Sequence, residues 1–327
     1  MLHFVRGSNL YSNRADSLFI RQAPRPGAQP ELSVAKGAGG ECVFRENRRC
    51  AIHAQAGESS LPIGCRHYPR VVRLDATCIS LSLSHYCPTA AALLASTEHI
   101  RVVTAAPPLE LSEPVEGLDA RDALPPLLRP GVLMDVDAYT TWERAAVDAF
   151  STLGRPEAAL ARIATATDAL RDWSPGTIPL DQAVRAAFAS SPASAPDWPT
   201  RGFEIARALN QGPVSLESEP TFALRATVGT HHEMGDGKRV TGRVIANYLA
   251  ARVFGNWIAY QGRGLRTIVT WLYACYDSVR VLANRDAAEG PEPSIAHVIE
   301  AIRHADYVML HSIDSQVFAN AAIEVEG

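Results

Sequence analysis

Cysteine is unevenly distributed along this chain of 327 residues. Four cysteines follow the spacing C-x7-C-x14-C-x21-C, and these are Cys42, Cys50, Cys65 and Cys87. In a reducing compartment, thiolates bind zinc, iron and iron–sulfur clusters, and a shared metal can fold a segment that has little core of its own. The spacing is not the paired C-x2-C of a zinc ribbon. It therefore predicts a metal centre and leaves open whether zinc or a [4Fe–4S] cluster occupies it.

Bulk composition narrows the class of protein. A net charge of −4 and a pI near 6.2 argue against nucleic acid as a partner. No apolar run reaches the roughly 18 residues that a membrane span needs, and the N-terminal residues show no apolar stretch of a signal peptide. We therefore expect a cytoplasmic protein without a membrane partner. Disulfides are the alternative use of six cysteines, but they are typical of small secreted domains.

The sequence predicts a mainly α-helical fold, in which a helical body carries a small, irregular, cysteine-rich metal-binding head. Proline-rich and turn-rich segments suggest the boundaries. We expect a flexible lead-in over residues 1–40, the cysteine-cluster region over 41–96, a connector over 97–136 and the helical domain over 137–327.

Local patterns predict individual elements within these regions. Apolar pieces such as Ile79–Leu83 suggest short strands or irregular loops, and Pro88 suits the first turn of a helix. Gly154 followed by Pro156 predicts the end of one helix and the start of another. The last helix is expected over Glu292–Ala322.

Local words in the cysteine region resemble the flagellin lysine-N-methylase family and the wider bacterial group of zinc- or iron-chelating cysteine-cluster proteins. That pattern contains a G-x-C-x-F/L segment, a cysteine before isoleucine, C-x-x-Y-P-R, a serine–leucine stretch and C-P-x-A-A. The matching positions are Gly40, Cys42 and Phe44; Cys50 and Ile52; Cys65, Tyr68, Pro69 and Arg70; Ser82 and Leu83; Cys87, Pro88, Ala90 and Ala91. A weaker similarity extends into the helical body.

The resemblance implies a protein-lysine N-methyltransferase that acts on a protein substrate, with flagellin as the candidate. It also implies that Cys42, Cys50, Cys65 and Cys87 are the metal ligands and that S-adenosylmethionine is the methyl donor. One departure is that family members carry an earlier cysteine group, whereas this chain has no cysteine before Cys42. Either the true start lies upstream of Met1 or half of the ligand set is lost.

Other interpretations of the same residues stay open. The matched cysteines could be small buried hydrophobes, and this interpretation is preferred for Cys78 and Cys275. His53, His67 or His85 could replace a missing thiol, because imidazole is a common zinc ligand. The sequence shows no methyl-donor pocket, so the alternative function is a non-enzymatic interaction module that a metal holds together.

Three further histidines, His297, His304 and His311, recur every seven residues in the last predicted helix. Successive members would lie about 10.5 Å apart along a helix, too far to share one metal ion. Because nothing in the sequence places them near the cysteines, we expect a half-buried helix face rather than a site, with a cleft lining as the alternative.

Overall fold

The structure, a computed structural model, describes residues 19–21, 32–35, 42–47, 49–104, 117–190, 196–216, 236–261, 263–286 and 293–322. The chain divides into two compact units, Met1–Tyr68 and Pro69–Gly327. This boundary falls inside the predicted cysteine-cluster region, so Cys42, Cys50 and Cys65 belong to the first unit and Cys87 to the second. Within the described ranges, no helix combines the length and the apolar content that crossing a bilayer requires.

The first unit is built from short elements. Strands β1 (Phe19–Arg21) and β2 (Leu32–Val34) pair antiparallel within the predicted lead-in, most of which lies outside the described residues. Strands β3 (Arg45–Glu46) and β4 (Arg49–Cys50) also pair antiparallel. Helices α1 (Ala51–Ala56) and α2 (Ile63–His67) follow, with a 3-10 turn at Glu58–Ser60 between them. The small buried cluster of this unit consists of Phe44, Ala51 and Ile52.

The second unit begins with a three-stranded sheet. Strands β5 (Arg70–Leu74) and β6 (Ile79–Leu83) form an antiparallel hairpin, and β7 (Gly117–Asp119) adds parallel to β5. Gly117 permits this pairing, because a Cβ atom there would lie 2.3 Å from the carbonyl oxygen of Val72. Helix α3 (Pro88–Ser96) follows β6, and β8 (Leu127–Arg129) pairs with β9 (Val132–Leu133). The predicted strand over Ile79–Leu83 and the predicted helix from Pro88 are confirmed.

Among the described residues, eight further helices form the body of the second unit, which confirms the mainly helical fold class. They are α4 (Val136–Leu153), α5 (Pro156–Leu170), α6 (Leu180–Ala189), α7 (Gly202–Leu209), α8 (Asp236–Val253), α9 (Leu265–Asp286), α10 (Ile295–Tyr307) and α11 (Ser315–Ala321). Gly154 ends α4 in the left-handed conformation (φ 64°), and Pro156 opens α5, as predicted. Trp142, Phe150, Leu160 and Leu272 belong to one continuous apolar core.

The C-terminal segment differs from the single predicted helix. Helix α10 ends at Tyr307, a π-helical turn spans Val308–Ser312, and α11 starts after Asp314. The break has a local cause, because the Asp314 side chain accepts hydrogen bonds from the backbone N–H groups of Gln316 and Val317 and so caps a new helix. The π-turn places His311 out of the regular α-helical spacing that its sequence position suggested.

Candidate functional site

The four matched cysteines lie at turns and near helix starts, and Cys50 packs against the small buried cluster of the first unit. Cys42 and Cys65 are exposed, whereas Cys50 and Cys87 are half-buried. Cys50 is the N-cap residue of α1 and Cys87 that of α3, both with extended backbone. In the first unit, the N–H of Arg45 bonds the carbonyl of Cys42 at 2.9 Å, and Arg45 also pairs with Cys50 across the β3–β4 ladder. The side chains are therefore accessible to a ligand, unlike the core thiol of Cys275.

The structure does not gather these thiols into a ligand group. Among the residues that it describes, no group of three or more His, Cys, Asp and Glu side chains lies close enough to hold a metal ion. In particular, Cys42, Cys50 and Cys65 of the first unit do not form such a group. As the side chains lie here, they do not fit a tetrahedral zinc or an iron–sulfur cluster.

The two remaining cysteines, Cys78 and Cys275, differ in their exposure. Cys275 is fully buried in α9, as predicted, and burial raises the pKa of its thiol to about 12. The prediction that Cys78 is a buried hydrophobe is wrong, because its side chain is exposed. It lies in the turn between β5 and β6, where the Asp75 carboxylate accepts the N–H groups of Thr77 and Cys78 at 2.9 Å each. Cys78 is exposed because it belongs to this turn and not to strand β6, which starts at Ile79.

The three histidines predicted near the cysteines have different surroundings. His53 lies exposed in α1, and His67 is half-buried at the end of α2. His85 is only 3% exposed and packs edge-on against the ring of Tyr248, with a centroid separation of 5.6 Å. Burial, aided by the charge of Arg252, lowers the pKa of His85 to about 3. His85 is therefore a neutral core side chain at pH 7.

A buried carboxylate organises the turn that leads into Cys87. Asp306 on α10 is fully buried, and its Oδ2 atom accepts the backbone N–H groups of His85 (2.6 Å) and Tyr86 (3.1 Å). The same oxygen lies 3.0 Å from the hydroxyl of Ser84. The N–H of Cys87 bonds the carbonyl of Ser84 at 3.3 Å. The conformation that sets Cys87 at the start of α3 therefore depends on a residue far along the chain.

Arg252 on α8 balances this carboxylate. Its guanidinium lies 3.3 Å from Asp306 Oδ1 and donates to the hydroxyl of Ser82 (3.1 Å) and the carbonyl of Leu83 (2.5 Å). Arg252 is 5% exposed. A buried pair of this kind is costly to break, because removing either partner leaves an uncompensated charge in the core. Asp306 and Arg252 thus fix the end of β6 and the following turn against the helical body.

A second buried ion pair connects the hairpin to α4. Arg73, only 2% exposed, donates to Glu143 (2.8 Å), to Ser80 (3.0 Å) and to Asp75 (3.3 Å). Glu143 also accepts the N–H of Gly255 at 3.0 Å. These polar groups bond one another inside the second unit, so we interpret the arrangement as stabilising the fold rather than binding a ligand.

Asp277 on α9 is an unusual carboxyl group, because it is 6% exposed and accepts no hydrogen bond from the residues that the structure describes. Burial raises its pKa to about 7, and the positive charge of Arg280 opposes that rise. Tyr273 and Tyr276 on the same helix also interact with it electrostatically. Such a group is ionised only at a cost in stability.

The half-buried helix face predicted for the three histidines holds for His297 and His304 on α10, whereas His311 lies beyond that helix and is exposed. The ring of His297 accepts the N–H of Ser294 in a capping box at the start of α10, and His304 lies 3.3 Å from Glu300. His311 lies on the π-turn with Nε2 3.0 Å from Ser84 Oγ. Nothing in the sequence indicated that His311 contacts Ser84, in the turn that leads to Cys87.

Sequence reasoning missed Arg73, Glu143, Arg252, Asp277 and Asp306, and it named His311 without its contact to Ser84. The ion-paired groups among them are separated by long stretches of chain. Arginine is common throughout the sequence, so the sequence does not single out Arg73 or Arg252. Asp277 alone carried a local signal, because it is an acidic residue inside the apolar run of α9.

No protein-family model matches this chain, and neither a curated protein nor a solved structure does. The resemblance to the flagellin lysine-N-methylase family therefore depends on the short sequence matches described above, chiefly those of the cysteine region.

Proposed function

We propose that this chain is a metal- or iron–sulfur-binding protein with protein-lysine N-methyltransferase activity. The observation that carries the metal-binding part is that Cys42, Cys50, Cys65 and Cys87 are all at least partly exposed. A structural cysteine is usually buried, whereas a thiolate ligand needs access. The methyltransferase part, with S-adenosylmethionine as donor and flagellin as candidate substrate, is supported by the sequence resemblance.

Binding of one metal ion would have to draw these thiols together, because they form no ligand group as they lie here. Metal binding and local folding are often one process in small cysteine-rich segments, since the binding free energy stabilises the folded form. The short elements and three-residue buried cluster of the first unit suit such a coupling. We therefore expect metal to change the secondary structure of the first unit, measurable by circular dichroism of the full chain.

Anaerobic purification followed by iron, zinc and sulfide analysis tests metal binding. We expect the wild-type protein to carry metal, and Cys65→Ser and Cys87→Ser to lose most of it. The matched control is Cys78→Ser, which removes an exposed thiol of the same region that lies outside the matched set. Folded wild-type protein without metal, or equal loss in the control, would contradict the proposal.

Methylation is tested separately. The chain is co-expressed with flagellin, and the lysines of flagellin are examined by mass spectrometry. Each added methyl group should raise the mass of a lysine-containing peptide by about 14 Da, the mass of one CH₂ unit. A metal-loaded protein that leaves every flagellin lysine unmodified would contradict the enzyme with this substrate.

One observation favours the alternative, a non-enzymatic module held together by metal. The sheets in the described ranges have two or three strands each, so these ranges contain no doubly wound sheet of the kind that binds nucleotide cofactors at its switch point. The same experiments separate the two functions, because the module binds metal and does not methylate.

A further inference from the structure

His311 is held in one orientation by a chain of buried groups. The residue is partly exposed, but its Nε2 atom lies 3.0 Å from Ser84 Oγ, and Ser84 is only 2% exposed. Behind Ser84 lies Asp306, which pairs with Arg252. His311 lies on the π-helical turn Val308–Ser312. Such turns are rare overall but occur often at functional sites, so the other ring nitrogen of His311, Nδ1, is a candidate binding atom.

The hydrogen-bond chemistry of this chain fixes the tautomer of His311. Oδ2 of Asp306 accepts the N–H groups of His85 and Tyr86, so the Ser84 hydroxyl donates its single proton to that oxygen. Ser84 Oγ is then an acceptor toward the ring, and Nε2 of His311 must donate. In the neutral ring, Nδ1 therefore carries the lone pair. Among the described residues, none hydrogen-bonds Nδ1. Partial burial of the ring lowers the pKa of His311, with the charge of Arg252 contributing and Asp306 opposing, which favours this neutral form.

Two aromatic rings lie near the ring of His311. The ring centroids of Tyr86 and Tyr307 lie 6.0 and 6.1 Å from that of His311, and 5.0 Å from each other. Tyr86 is 37% exposed, and the guanidinium of Arg303 lies over its ring at 5.8 Å. This arrangement shows that the aromatic cluster accommodates a cation at its surface. Arg303 is itself paired with Glu300 at 2.6 Å, so its charge is largely compensated.

We propose that Nδ1 of His311, with the rings of Tyr86 and Tyr307, binds a primary ammonium group such as the end of a lysine side chain. The ammonium donates one N–H to Nδ1, and its positive charge lies against the aromatic surface. The identification of the amine as lysine rests on the proposed methyltransferase function, whereas the preference for an N–H-bearing cation rests on the geometry.

Binding of three small probes to the full chain tests this site. Nα-acetyl-lysine methylamide offers both charge and N–H donors, the trimethyllysine analogue offers charge without N–H, and the norleucine analogue offers neither. Long-range ¹H–¹⁵N spectra of the histidine rings should show the Nε2–H tautomer at His311 and a change at Nδ1 with the lysine probe. We expect affinity to decrease in the order lysine, trimethyllysine, norleucine.

Two variants complete the test. His311→Ala should bind the lysine probe about fivefold more weakly, the effect of one hydrogen bond. His304→Ala, on the neighbouring α10, should bind it as the wild type does, and circular dichroism verifies that both variants are folded. Equal binding of lysine and norleucine, no response at His311, or unchanged binding in His311→Ala would each overturn the site. Methylated flagellin together with unchanged binding in His311→Ala would overturn this inference and leave the proposed function standing. Lysine binding at His311 without methylation of flagellin would contradict the proposed function and leave this binding site standing.

Discussion

Replacing Asp306 with asparagine is expected to lower the free energy of unfolding by about 3–5 kcal/mol at pH 7, the cost of breaking a buried ion pair on one side. The amide retains one acceptor oxygen, but its N–H₂ group must face either the guanidinium of Arg252 or the N–H groups of His85 and Tyr86. Both arrangements set donor against donor in the core. Urea denaturation followed by circular dichroism at 222 nm measures the change.

The matched control for this substitution is Glu300→Gln on the same helix. Glu300 is 43% exposed and pairs with Arg303, and pairs at the surface contribute about 0–1 kcal/mol. We expect a shift within that range. A loss in Asp306→Asn no larger than that in Glu300→Gln would show that the buried carboxylate does not hold the Ser84–Cys87 turn.

Replacing Asp277 with asparagine is expected to stabilise the protein relative to wild type more at high pH than at low pH. The pKa of Asp277 is raised from 3.8 to about 7 in the folded state. Between these values the folded state binds more protons than the unfolded state, so wild-type stability decreases as pH rises, and the penalty becomes constant above pH 7. One pKa unit corresponds to about 1.4 kcal/mol. The difference between variant and wild type should therefore grow by about 2–3 kcal/mol from pH 5 to pH 8.

Comparing the two proteins at each pH removes the contributions of other titrating groups. The charged and titratable groups around Asp277 are Arg280, Tyr273 and Tyr276 on α9, and Glu157 on α5, which accepts the Tyr276 hydroxyl. None of them changes in the variant. Asp181→Asn is the control, since Asp181 forms a surface pair with Arg185 and should show no such pH-dependent difference. A constant difference in Asp277→Asn between pH 5 and pH 8 would mean that this carboxyl is ionised throughout.

Local features of the fold were predictable where one residue determines a backbone conformation. Pro88 starts α3, and Gly154 with Pro156 separates α4 from α5. The split of the last predicted helix had a usable signal too, because Asp314 is a good N-cap residue in front of α11. The exposed position of Cys78 followed from the Asp75 turn, which the apolar strand residues around it concealed.

The buried polar contacts could not be predicted from local sequence patterns. Ser84 and Asp306 are 222 residues apart and Arg73 and Glu143 are 70 apart, and neither helical nor strand periodicity connects such positions. Their pairing is a property of how the hairpin and helices pack. The same holds for His311, whose neighbours Ser84 and Tyr86 come from the other end of the second unit.

The most direct test of the proposed metal centre is X-ray absorption at the iron or zinc edge of the protein purified without oxygen. Ligation by Cys42, Cys50, Cys65 and Cys87 predicts four sulfur neighbours, at about 2.3 Å for zinc, and a reduced sulfur count in Cys87→Ser but not in Cys78→Ser. A first shell of nitrogen and oxygen alone, or a spectrum that Cys87→Ser leaves unaltered, would contradict it.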